Sequence, residues 1–211
     1  MSALKVKKLI TGNLATNCYL VYDEKEEDLV IIDPGDDAEY IISQIRDIEI
    51  APSRIIATHG HFDHLLAATA IKLAFNIPFL MHKKDLFLLD RLQSSAKYFL
   101  GLDVDPAPQV DEYITEGDEI MIGKTTLKVI ESPGHSPGGV VLYDKKSETA
   151  FVGDTIFEKG VVGRTDFVYA KQADLDKSIQ KILKLPDSTK ILPGHGGATT
   201  IKEIKKYLAK V

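Results

Sequence analysis

The chain contains a single cysteine and no tryptophan in 211 residues. Cys18 alone leaves no intrachain disulfide to form, and that usage suits a reducing compartment. No apolar run approaches the roughly 20 residues that a membrane-spanning helix requires. Lys5, Lys7 and Lys8 lead into a strand-like segment and not into the apolar core and cleavage site of a signal peptide. A cytoplasmic protein without a membrane partner is therefore expected. Positive charge is also thin, with a formal net charge of −5. Basic residues occur as short pairs such as Lys7-Lys8, Lys83-Lys84 and Lys205-Lys206, without the basic, aromatic-interleaved stripe of a nucleic-acid surface. No nucleic-acid partner is expected. Repeats, low-complexity stretches and interdomain linkers are missing too, which predicts one α/β domain over residues 1–211.

Histidine is scarce as well, with six in the chain, but its placement is concentrated. Three fall in Thr58-His59-Gly60-His61-Phe62-Asp63-His64, directly after the apolar run Arg54-Ile55-Ile56-Ala57. Two more occur in Pro133-Gly134-His135-Ser136 and Pro193-Gly194-His195-Gly196, flanked by the residues of tight turns. Imidazole and carboxylate together form a ligand set for zinc, iron or manganese. His82 lies outside this pattern and reads as an ordinary surface or supporting residue.

Period-two patterning predicts strands over 4–11, 18–22, 29–32, 54–57, 78–81, 119–122, 125–130, 139–143 and 149–152. Helical spacing predicts helices over 38–46, 63–75, 84–92, 173–183 and 200–209. Residues 94–111, with two prolines, read as a loop over the site, with Tyr98, Phe99 and Leu100 as lid or pocket wall. Strands and helices, then strands and helices again, predict a layered α/β sandwich. Cys18 reads as a buried strand residue, and the stripe Ile201, Ile204, Leu208 as the core-facing side of the last helix.

In a strand-to-helix turn, His59 and His61 can point the same way, while Asp63 and His64 approach from the first helical turn. Four ligands on one short loop cannot all reach one metal without severe strain, so they divide between two adjacent sites. His135 and His195 each add a ligand from another turn. Asp154, after Ala150-Phe151-Val152-Gly153, is the candidate bridging carboxylate, with capping of the following turn as the plainer reading. Asp33, in Asp33-Pro34-Gly35, either accepts a hydrogen bond from a ligating histidine or simply makes the turn. Arg164 either clamps a substrate carboxylate or pairs structurally with Asp166.

The run His59–His64, followed by Gly134-His135-Ser136, Gly153-Asp154-Thr155 and Gly194-His195-Gly196, resembles the metallo-β-lactamase-fold hydrolases in order and spacing. Within them it is similar to the glyoxalase II (hydroxyacylglutathione hydrolase) branch, through 153–157 and Gly163-Arg164-Thr165-Asp166-Phe167. With one helix after His195 it resembles the short forms without the C-terminal helical domain, whose substrates need not be glutathione thioesters. The resemblance implies an αββα four-layer sandwich with metals at one edge, between the sheets. It implies two divalent ions, zinc first and iron or manganese also suited. His59, His61 and His135 would hold one; Asp63, His64 and His195 would hold the other, with Asp154 bridging. Metal-bound hydroxide would attack the carbonyl of a small acyl thioester, oriented by Asp63. The alternative on the same fold is a mononuclear non-haem iron persulfide dioxygenase using His59, His135 and Asp154.

Overall fold

Alternating strands with both faces apolar pack best as two stacked sheets, and this chain builds them. The structure, a computed structural model, describes residues 4–209. The first sheet holds β1 (Lys5–Thr11), β2 (Thr16–Asp23), β3 (Asp28–Ile32), β4 (Pro52–Ile56), β5 (Phe79–Met81) and β6 (Glu112–Tyr113), in that order. The second holds β7 (Glu119–Ile122), β8 (Thr125–Glu131), β9 (Val140–Asp144), β10 (Thr149–Gly153), β11 (Lys190–Pro193) and β12 (Thr199–Thr200). Helices α1 (Ala38–Ile48), α2 (Ala68–Phe75), α3 (Leu86–Leu89) and α4 (Leu92–Leu100) accompany the first sheet. Helices α5 (Gln172–Ile182) and α6 (Ile201–Leu208) cover the second.

Strand alternation sorts the buried side chains into three apolar layers. On β3, Leu29 and Ile31 face the first helical layer, whereas Val30 and Ile32 face the other sheet. On β9, Val140 and Leu142 face inward while Val141 and Tyr143 meet α5 and α6. Three apolar layers need four layers of backbone, which is the αββα sandwich. Among the described residues, no helix is long and apolar enough to cross a membrane.

Strand direction decides where the chemistry collects. β3, β4, β5 and β6 run parallel, as do β10 and β11, and β8 and β10 both run antiparallel to β9. The carboxyl ends of β3 and β4 thus share one sheet edge, and those of β8, β10 and β11 share one edge of the other. Such edges are where ligands sit in open α/β sheets.

The helix expected over 63–75 is broken. A 3-10 turn spans Phe62–His64, and α2 starts only at Ala68. The Ala67 N–H instead donates to the carbonyls of Pro34 and Gly35, which ties the histidine loop to the turn after β3. Residues 94–100, the start of the stretch expected as loop, belong to α4; its outer face is apolar, with Tyr98 83% and Phe99 51% exposed, which blurs the period. Residues 101–111 are irregular as expected. β6 and β12 escape sequence patterning because each is two residues long, and β11 because only Ile191 and Leu192 lie between Lys190 and Pro193.

Candidate metal centre

Five strand ends deliver the cluster. Asp33 follows β3, His59 and His61 follow β4, His135 follows β8, Asp154 follows β10 and His195 follows β11. His59, His61 and His135 form one group that could hold an ion, and Asp63, His64 and His195 a second. Asp154 reaches both: its Oδ2 is 3.7 Å from His135 Nε2 and 3.6 Å from His195 Nε2, and its Oδ1 is 3.5 Å from His64 Nε2. Asp63 Oδ2 lies 3.3 Å from His195 Nε2 and 3.7 Å from His64 Nε2.

Each imidazole has one nitrogen turned outward to an oxygen and one turned inward. His64 Nδ1 donates to Asp33 Oδ2 at 3.1 Å. The Thr58 hydroxyl donates to Asp33 Oδ2 at 2.6 Å, so it accepts from His59 Nδ1 at 3.1 Å. His135 Nδ1 donates to the Arg164 carbonyl at 2.8 Å and His195 Nδ1 to the Leu14 carbonyl at 3.1 Å. His61 is reversed, with Nε2 at 2.8 Å from the Tyr169 hydroxyl and Nδ1 facing inward. Outward hydrogen bonds of this kind fix tautomers and aim lone pairs.

The inward nitrogens of His59, His61 and His135 face one another. His61 Nδ1 is 3.1 Å from His59 Nε2 and 2.9 Å from His135 Nε2. Nitrogens bound tetrahedrally to one zinc lie about 3.3 Å apart, given metal–nitrogen bonds near 2.0–2.1 Å. His64 Nε2 and Asp154 Oδ1 are buried without a hydrogen-bond partner. Charge points the same way. Burial, with neighbouring imidazoles, lowers His59 well below its ordinary value and His61 to about 3, keeping both neutral. Burial alone would lower His64, but Asp63, Asp154 and Asp33 outweigh it and raise it to about 10. Burial would raise Asp63, yet His64 and His195 hold it well below the usual carboxylate range. Neutral lone pairs on one side and carboxylates demanding positive charge on the other make a donor set that fits divalent cations.

The sequence model described as the metallo-beta-lactamase superfamily matches residues 11–195. The chain belongs to that superfamily. It is 34% identical over 198 residues to the hydroxyacylglutathione hydrolase GloC of Haemophilus influenzae, covering 90% of each chain. Among solved structures, BLEG-1 B3 metallo-beta-lactamase superposes with a TM-score of 0.88 at 35% identity, covering 96% of this chain and 97% of that one. TTHA1623, solved in a di-iron-bound form, gives 0.86 at 33% identity, covering 95% and 96%.

Two carboxylates of this metallo-β-lactamase fold brace the five histidines, and the first of them, Asp33, also forms with His59 and His64 a third group that could hold an ion. Asp33 sits at φ 51°, a left-handed conformation that Asp tolerates better than most residues. There it accepts from the Thr58 N–H at 2.7 Å as well as from Thr58 Oγ1 and His64. Asp85, fully buried, accepts from the Gly60 N–H at 2.9 Å, the Ser136 hydroxyl at 2.6 Å and the Gly138 N–H at 2.6 Å. It thereby joins the loop carrying His59 and His61 to the loop carrying His135. Burial raises its pKa, against these three hydrogen bonds. His82 is buried, not on the surface; its Nδ1 accepts from the Lys84 N–H at 3.1 Å and caps the turn that delivers Asp85. Asp85, Thr58 and Tyr169 went unassigned in the sequence because their partners are backbone groups or single side chains far along the chain. Asp85 alone carried a signal, as an acid in an otherwise basic and apolar stretch.

A cavity of about 490 Å³ opens onto the cluster, bounded by His61, Asp63, Asp154 and His195 on its polar side. Arg164 lies at its wall, with Nε and Nη2 bonded to Asp166 at 2.8 and 2.6 Å and its guanidinium 4.6 Å from the Phe167 ring. Both partners are well exposed, 60% and 62% at the side chain. The bidentate fork is thus taken by Asp166. Cys18 is fully buried within β2, away from the cavity lining.

Proposed function

We propose that this chain is a dinuclear metallohydrolase that cleaves small acyl thioesters. The observation that carries the reading is Asp154, one carboxylate within 3.7 Å of histidines from both three-residue groups. A centre built around a shared carboxylate suits two ions better than one. His59, His61 and His135 would hold the first and Asp63, His64 and His195 the second, with Asp154 between them. A bound metal pair supplies water acidified towards a pKa of about 7 and a Lewis acid for a carbonyl oxygen.

The chain's own residues then do the positioning. Asp63, kept ionised by His64 and His195, accepts a hydrogen bond from the attacking water and orients it. The Thr16 hydroxyl donates to Asp63 Oδ2 at 3.4 Å and limits where that carboxylate can swing. In the reaction a carbon–oxygen bond forms from water, the carbon–sulfur bond breaks, and a proton from the water ends on the departing thiolate. A thiolate leaves readily, so no strong general acid is required. The likeness to a hydroxyacylglutathione hydrolase over 90% of both chains supports the thioester class.

Hydrolysis of S-lactoylglutathione and simpler thioesters by the metal-loaded protein, measured under air and under nitrogen, tests the reading. Equal rates in both atmospheres are expected. A strict oxygen requirement would move the chain to the dioxygenase class. A β-lactam hydrolysed faster than every thioester would place it with lactam-cleaving relatives instead.

A further inference from the structure

The cavity over the cluster is walled mainly by hydrocarbon. Leu14, Phe62, Phe99, Phe157, Val162 and Phe167 face it, and its volume is that of a small-molecule site. Two aromatic pairs from separate parts of the chain stiffen the walls. Phe62 stacks on Phe99 at 5.7 Å between ring centroids, and Phe167 stacks on Tyr169 at 5.3 Å. Tyr169 is pinned in turn against His61, so one wall is registered directly to the ligand cluster. Leu14 and Phe99 remain 42% and 51% exposed, apolar surface that a bound hydrocarbon would cover.

Charge excludes the opposite kind of ligand. Among the described residues, Arg164 is the one Lys or Arg in the lining, and its fork already holds Asp166 while its face lies on Phe167. A glutathione conjugate would bring two carboxylates that need cationic or N–H partners once desolvated. We propose that the cavity binds the hydrocarbon or aryl acyl chain of an uncharged thioester, and that glutathione conjugates are poor substrates. This specificity rests on the hydrolytic reading above.

The test compares two probe series on the metal-loaded protein. The first is N-acetylcysteamine thioesters from acetyl to octanoyl, with S-lactoylglutathione alongside. The second is the uncleavable S-alkyl thioethers of N-acetylcysteamine, from methyl to octyl, followed by calorimetry. Each methylene buried should raise kcat/KM, and thioether affinity, about fourfold. Hexanoyl should therefore exceed acetyl by on the order of a hundredfold, and should exceed S-lactoylglutathione. Phe99→Ala, a change at a half-exposed position, should reduce the hexanoyl-to-acetyl ratio severalfold. A flat series in both turnover and thioether binding, or a preference for S-lactoylglutathione, overturns the inference. A thioether gradient without hydrolysis of any thioester supports the apolar cavity and overturns the hydrolytic reading instead.

Discussion

Asp154 and Asp33 do different work although each follows an apolar strand. Asp154 points inward and touches three imidazoles, so Asp154→Ala, like His59→Ala, should remove most bound metal and nearly all turnover; full activity in either variant would sink the two-metal assignment. Asp33 lies behind the cluster and fixes His64 directly and His59 through Thr58. Losing such an outer partner usually costs 10–100-fold in metal affinity or activity. Asp33→Ala should therefore weaken metal binding by about that factor, read by competition with a chromogenic chelator, and unchanged affinity would reduce Asp33 to a turn residue. Arg164→Ala should shift KM more than metal content, since the guanidinium steadies the Phe167 wall and touches no ligand. Unchanged kinetics would leave it a structural partner of Asp166.

At the scale of elements, the centre depends on loops from two sheets being held in register. Asp85 is the clasp, bonded to Gly60 on one loop and to Ser136 and Gly138 on the other. The approach is so close that a Cβ on Gly138 would lie 2.8 Å from the Asp85 carboxyl carbon. Gly194 is tighter still, since a Cβ there would meet Asp154 Oδ1 at 2.3 Å. Gly194→Ala should therefore lower the metal-to-chain ratio while leaving the circular dichroism spectrum intact; normal stoichiometry would show that the loop can yield. These contacts mark what the sequence could and could not disclose. Both sheets were legible because Val30, Ile31 and Ile32 or Val140, Val141 and Leu142 alternate between apolar layers. The histidines that gather at the candidate centre were legible because Gly and Pro flank His135 and His195 at strand ends. α4 and β11 were not, the first because aromatic residues sit on its outer face and the second because only Ile191 and Leu192 stand between Lys190 and Pro193. The bracing role of Asp85 was not legible for a related reason, as two of its three partners are backbone N–H groups, which leave no trace in side-chain patterns.

For the molecule as a whole, the cluster concentrates charge that the fold must balance. Stripped of metal, His64 carries a pKa of about 10 against an ordinary 6.5, because three carboxylates outweigh its burial. A group raised on folding contributes stability fully below its unfolded value and loses it as pH climbs through the folded one. The urea midpoint of the chelated protein should fall between pH 7 and 10, and a midpoint constant over that window would refute the charge balance drawn here. Metal binding must displace that proton, so affinity should strengthen as pH rises over the same range. The most direct test of the two-metal account is a titration of chelated protein with zinc, iron(II) or manganese under nitrogen, following thioester hydrolysis. Activity that climbs to a plateau at two equivalents per chain is the expected result. A plateau at one equivalent, or no hydrolysis at any loading, would contradict it.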